Sequence, residues 1–220
     1  KDGNAIPFKF YFSAPSCVPA TDLETSGAEI DSADIEKLFQ HYPEIKFLGE
    51  MMNFPGVINS DQEVLQKRKI AQQYGKPIDG HSPGLKGEEL KKYVAAGIST
   101  DHECFSREEA LEKLELGMKI FVREGSAAKN FEELIPLAKE HYDNMAFCSD
   151  DKHPDDLIKG HINELVKRTI DSGIKPTKAF QMATLNPTNH YALDVGLLQE
   201  GDPADFLLVD NLKELNINLE

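Results

Sequence analysis

The 220-residue chain has no apolar run long enough to cross a bilayer and no basic-then-apolar leader, so neither a membrane span nor a secretion signal is predicted. It also lacks a Lys/Arg stripe. With 24 basic against 38 acidic residues, the net charge is −14, a surface that repels a phosphate backbone and argues against nucleic-acid binding. Most of those carboxylates solvate helix faces; a few could hold cations. Cysteine is sparse as well. Cys17, Cys104 and Cys148 show no CxxC spacing, so neither a disulfide framework nor a zinc knuckle is implied, and they read as reduced thiols of a cytoplasmic protein. No glycine-rich phosphate fingerprint follows any strand. The first residue is Lys1, in mid-pattern, which suggests a piece of a longer chain.

What is present is a rhythm. Phe8–Phe12 reads as an aromatic, buried strand ending in the proline-punctuated loop Ser13–Pro19. Ile35, Leu38, Phe39 and Tyr42 then form a helical stripe, with Asp31 or Ser32 as its N-cap. A second strand, Ile45–Glu50, precedes a helix that Ser60 and Glu63 open as a capping box and Gly75 ends. Ile78–Gly80 runs into His81 and Ile98–Asp101 into His102, each followed by a helical pattern, the second capped by Ser106. Met118–Val122 and Met145–Cys148 complete the strands, leaving through Arg123–Ala127 and Ser149–Asp151. Strands alternating with helices at roughly 25-residue intervals predict parallel β-α units.

A doubly wound sheet and a closed barrel both fit this alternation, and the unusual polar residues favour the barrel. Glu50, His81, His102 and Asp150 fall at the C-terminal ends of different strands, as the catalytic residues of barrels do, whereas an open sheet gathers its site at one switch point. From His153 the texture changes to one long helix up to Gly173, a shorter one from about Thr177 to Leu185, and two β-segments within Gly196–Val209.

Imidazoles and carboxylates converging on one mouth are the ligand set for zinc, manganese or iron, and such an ion activates water near neutral pH. Alternatively, Glu50 and Asp150 are helix N-terminal caps. Arg123 is expected to pair with a nearby carboxylate. His41, His141, His153, His161 and His190 fit no ligand pattern and read as surface or cap residues.

Gly49–Val57, Asp79–Gly84, Thr100–Glu103, Arg123–Ser126 and Cys148–Asp151, together with Ala14–Pro19, Ala183–Pro187 and Gly201–Asp205, resemble the adenine deaminases of the amidohydrolase superfamily. The resemblance covers nearly the whole chain. It implies an α/β fold: an incomplete, TIM-like (β/α)8 barrel of the metal-dependent hydrolase type over residues 1–191, then a segment of an accessory β-sandwich over 192–220. It implies that Glu50 bridges two divalent metals, that His81 and His102 bind one of them, and that Asp150 is both ligand and proton shuttle. Water would attack C6 of adenine, releasing ammonia and hypoxanthine. Ser82, Glu103, Asn53 and Asp151 are candidate wall residues for the purine. Glu103 qualifies only if its strand has already ended, because on a strand it would face away from His102.

The His-x-His pair that the superfamily carries on its first barrel strand occurs nowhere in this sequence. The chain is therefore expected to lack the first β-α unit, to be a poor deaminase alone, and to keep at most one ion at His81, His102 and Asp150. Ala28–Ile30 is the one short candidate for the third family strand. Expected partners are a small-molecule substrate and further copies of the chain, with no nucleic acid and no membrane. Another cyclic-amide hydrolase of the superfamily, or a non-catalytic barrel used as a binding module, are the alternatives.

Overall fold

The computed structural model describes residues 8–21 and 23–219. They fall into two compact units, one made of residues up to His81 with Lys91–Ser99, the other of Ser82–Leu90 with Thr100 onward.

In the first unit, β1 (Ser13–Ala14), β2 (Phe47–Met51) and β3 (Ile78–Gly80) form a parallel sheet, with Ser13 opposite Phe47 and Leu48 opposite Ile78. Parallel pairing needs crossovers, and α1 (Ser32–His41), α2 (Phe54–Ile58) and α3 (Gln62–Gln73) supply them. Asp31 is the N-cap of α1, in a reciprocal capping box with Asp34. At α3 the expected box is displaced by one residue: Asp61 caps the helix, while Glu63 turns away to accept from the Ser32 backbone and hydroxyl. Ile35, Phe39, Leu48, Ile70, Ile78 and Ile98 are buried between helices and sheet, each such side chain stabilising the fold by about 1.5–3 kcal/mol.

Two expectations fail in this unit. Phe8–Phe12 is not a strand; Phe10 packs tilted against Phe8 at 5.0 Å and stacked against Phe12 at 6.0 Å between centroids, and all three rings remain exposed. Strand pairing begins only where Ser13 meets Phe47. Ala28–Ile30 is irregular, its amide at Ile30 bonded to the Val18 carbonyl rather than to a sheet.

In the second unit, β4 (Thr100–Asp101), β5 (Lys119–Arg123) and β6 (Met145–Cys148) are again parallel, with Thr100 opposite Lys119 and Ile120 opposite Met145. Helix α4 (Gly87–Ala95) starts in this unit and ends in the first; α5 (Arg107–Glu115), capped by Ser106 as expected, joins β4 to β5. Short turns, including α6 (Phe131–Leu134) and α7 (Ala138–His141), join β5 to β6. Ile120, Val122, Phe131, Leu134, Met145, Leu165 and Met182 share one core.

The long helix expected after His153 is divided into α8 (Pro154–Leu157) and α9 (Ile162–Asp171). Gly160, at φ +150°, turns the chain between them, in a backbone that residues with a side chain rarely adopt. The shorter helix forms as expected, as α10 (Pro176–Ala183), and a further helix, α11 (Leu185–Tyr191), follows it. The two strands expected within Gly196–Val209 are not formed as such. Asp205 accepts from the Gly196 amide and Asp202 from those of Leu197 and Gln199, so side chains close this segment as a loop. The only strand in it, β7 (Leu208–Val209), pairs antiparallel with β8 (Ile217–Leu219). Among the described residues, no helix is long and apolar enough to cross a membrane.

Candidate functional site

Each unit gathers polar side chains where its parallel strands end. In the first, Glu50 lies one residue before the end of β2, and His81 follows β3 directly; their side chains meet at 3.0 Å, His81 Nδ1 to Glu50 Oε2. The backbone beneath them is tied by a side chain. The hydroxyl of Tyr93, wholly buried on α4, accepts from the His81 amide at 3.1 Å and donates to the Met51 carbonyl at 2.9 Å, locking the ends of β2 and β3 together. Ser16 adds a bond from the loop after β1 to the Glu50 carbonyl. Asn53 caps α2, accepting from the Gly56 amide at 3.0 Å, and lines a cavity of about 280 Å³ with Ser16, Cys17 and Pro19.

In the second unit, His102 follows β4 directly, Arg123 ends β5, and Asp150 lies two residues past β6. His102 Nε2 is 3.2 Å from Asp150 Oδ2 and 3.4 Å from Glu103 Oε1. Arg123 pairs with both carboxylates, at 2.9 Å to Asp150. Because β4 stops at Asp101, Glu103 lies beyond the strand alternation and reaches the same end as His102. Asp150 has a left-handed backbone, φ +48°, a conformation that costs a non-glycine residue about 1 kcal/mol or more and gathers at functional sites. Asn130 holds this end together: its side-chain amide donates to the His102 carbonyl at 3.0 Å and its oxygen accepts from the Arg123 amide at 2.7 Å.

The proposed purine-wall residues Ser82 and Asp151 differ in burial. Ser82 is fully buried, and its hydroxyl donates to Asp101 at 3.1 Å, so it faces the interior. Asp151 is exposed, and it is its backbone carbonyl that accepts from Ser126. His41 bonds the Lys37 carbonyl one turn back, and His161 meets Ser149, in keeping with their reading as ordinary residues. Burial, with Lys152 nearby, holds the His161 pKa below the usual imidazole value.

Asp101, Cys104 and Glu109 form a second cluster with ligand-like spacing. Its centre is taken by the Lys113 ammonium, which donates to Glu109 at 2.7 Å, to the Ser82 carbonyl at 2.7 Å and to Asp101 at 3.0 Å. Burial alone would favour the neutral amine, but the Asp101 and Glu109 carboxylates outweigh it and hold the lysine pKa above its usual value. Burial, reinforced by the Asp101 charge, pushes the Cys104 thiol up, away from the thiolate that a metal requires. This cluster does not suit a metal; the strand-end residues do.

A model of the amidohydrolase family matches residues 2–219. The chain belongs to the amidohydrolase family. Among curated amidohydrolase relatives, the adenine deaminase of Salinibacter ruber is 55% identical over 216 residues, 98% of this chain and 39% of that protein. That of Methanosarcina mazei is 53% identical over 218 residues, 99% and 39% respectively. The chain thus spans about two fifths of the length of the curated relatives it matches. The β-aspartyl dipeptidase of Fervidobacterium islandicum AW-1 superposes with a TM-score of 0.61 at 19% identity, over 84% of this chain and 56% of that one. Enamidase does so with a TM-score of 0.57 at 16% identity, over 83% and 50%. The expected α/β fold, an incomplete barrel of the metal-dependent hydrolase type, and the resemblance read from the motifs are both borne out. Amidohydrolase membership implies a divalent metal, and the imidazole and carboxylate donors at the strand ends are of the right chemistry for one.

Proposed function

We propose that this chain carries the catalytic strand ends of an adenine deaminase, which converts adenine and water to hypoxanthine and ammonia. The observation that carries the proposal is the placement of Glu50, His81, His102 and Asp150 at C-terminal strand ends, in a chain about half identical to named adenine deaminases. Glu50, His81, His102 and Asp150 would hold the divalent metal, be it manganese, iron or zinc, with Glu50 bridging to a second ion in the binuclear form. Bound there, a metal supplies Lewis-acid activation of water at neutral pH.

Asp150 accepts the proton of the water that adds to C6 and delivers it to the exocyclic nitrogen, so that the C6–N bond breaks and ammonia leaves. Arg123 pairs with Asp150 and Glu103 and orients them. Glu103, Asn53 and Asp151 are the candidates for contact with the purine, and the buried Ser82, bonded to Asp101, supports that wall from behind. The division into barrel residues 1–191 and accessory residues 192–220 belongs to the same proposal, as does assembly into a homo-oligomer in the cytoplasm.

The test is an assay of the full-length, metal-loaded protein. Loss of adenine absorbance with stoichiometric ammonia supports the reading. Hydrolysis of cyclic amides without adenine turnover would move the chain to another amidohydrolase activity, and absence of both with no retained metal would favour a binding module.

A further inference from the structure

Asp101 and His102 leave β4 on consecutive residues, one pointing into the interior and one toward the strand ends. The buried Asp101 carboxylate accepts from the Ser82 amide at 2.8 Å and the Glu103 amide at 3.2 Å, so it fixes the chain immediately after His102 and the start of the loop that follows β3. Glu109 does the same one step further along, accepting from the amides of Gly84 at 2.8 Å and Phe105 at 3.0 Å. Both carboxylates are fully buried, and the one cation between them is Lys113, whose three N–H bonds are all used. An apolar plug of equal volume would fill this space, but it would give the four amides no direction, because only hydrogen bonds are strongly angular.

We infer that Lys113 is a positioning residue for His102: through Asp101 and Glu109 its ammonium clamps residues 82–84 and 103–105 to α5 and sets the orientation in which His102 is presented. The inference rests on the reading of His102 as a metal ligand, but the clamp itself can be read without metal.

The experiment compares the wild-type full-length protein with Lys113→Met and with Glu109→Gln/Lys113→Met; the double variant leaves one buried negative charge, the same net charge as the native cluster. In metal-free protein, amide exchange at 82–84 and 103–105 accelerates about tenfold or more while the β5 amides keep their protection. Co²⁺, followed by its visible absorption, binds about tenfold more weakly with an altered spectrum, and kcat falls with KM for adenine little changed. Should neither variant fold, Ser82→Ala removes one hydroxyl and no charge from the same clamp and is read by the same exchange. Folded variants with wild-type exchange and a wild-type Co²⁺ spectrum overturn the inference, since a merely structural lysine would alter stability alone. Accelerated exchange in a protein whose wild type takes up no Co²⁺ supports the clamp and refutes the metal reading instead.

Discussion

The second unit contains two clusters that look alike on paper. His102, Glu103 and Asp150 stand within ligand-sharing distance of one another, and so do Asp101, Cys104 and Glu109. The first opens at the strand ends and is met by a guanidinium from one side; the second is sealed and already filled by an ammonium that all its acceptors share. Proximity of ligand-type groups therefore does not define a metal site. Both clusters hold a paired cation, so what separates them is access, the presence of imidazole, and whether that cation fills the centre, as Lys113 does, or meets the carboxylates from one side, as Arg123 does.

The sharpest way to break the comparison is to disable one cluster at a time. Asp150→Asn should lower kcat by about 10²–10⁴-fold, the usual contribution of a positioned acid-base group, while changing stability by no more than about 1 kcal/mol. Steady-state kinetics alongside a urea titration would show this, and a large loss of stability would mean that the open cluster is structural after all. Lys113→Met should do the reverse first. It strands two buried carboxylates, costing about 3–5 kcal/mol of stability in chemical denaturation, and an unchanged midpoint would show that the sealed cluster is dispensable to the fold.

A smaller effect is expected in the first unit. Tyr93→Phe leaves the His81 amide and the Met51 carbonyl without their shared hydroxyl, at about 1–3 kcal/mol, with faster exchange of the His81 amide as the local reading. The smallest concerns Asp156, whose bonds from Ser126 and Lys159 lower its pKa to about 2 from 3.8. The folded state holds this proton less tightly than the unfolded one, so its stabilisation is present above pH 3.8 and fades as the pH falls toward 2. Asp156→Asn should flatten the acid limb of the stability curve slightly, and an unaltered limb would show that the exposed contact contributes nothing.

The strand-end residues were legible because a strand of period two followed by an isolated His or Asp is a pattern that topology turns into a location. Lys113 was not, since a charged residue on a helix ordinarily reads as solvated. A signal existed: Glu109 and Lys113 fall on the same helical stripe as Ala110 and Leu114, which are buried. Phe8–Phe12 misled in the opposite sense, its aromatic pattern promising a strand that the backbone does not form. In the tail, β-forming residues lost to Asp202 and Asp205, whose short side chains bond nearby amides more readily than a distant strand can.

The most direct test of the central claim is anomalous scattering from crystals of the full-length protein loaded with Mn²⁺ or Zn²⁺. The account predicts a peak at coordination distance, about 2.0–2.2 Å, from His102 and Asp150, with none at Asp101, Cys104 or Glu109. A peak inside the sealed cluster, or loaded protein with no ion at His102, would contradict it.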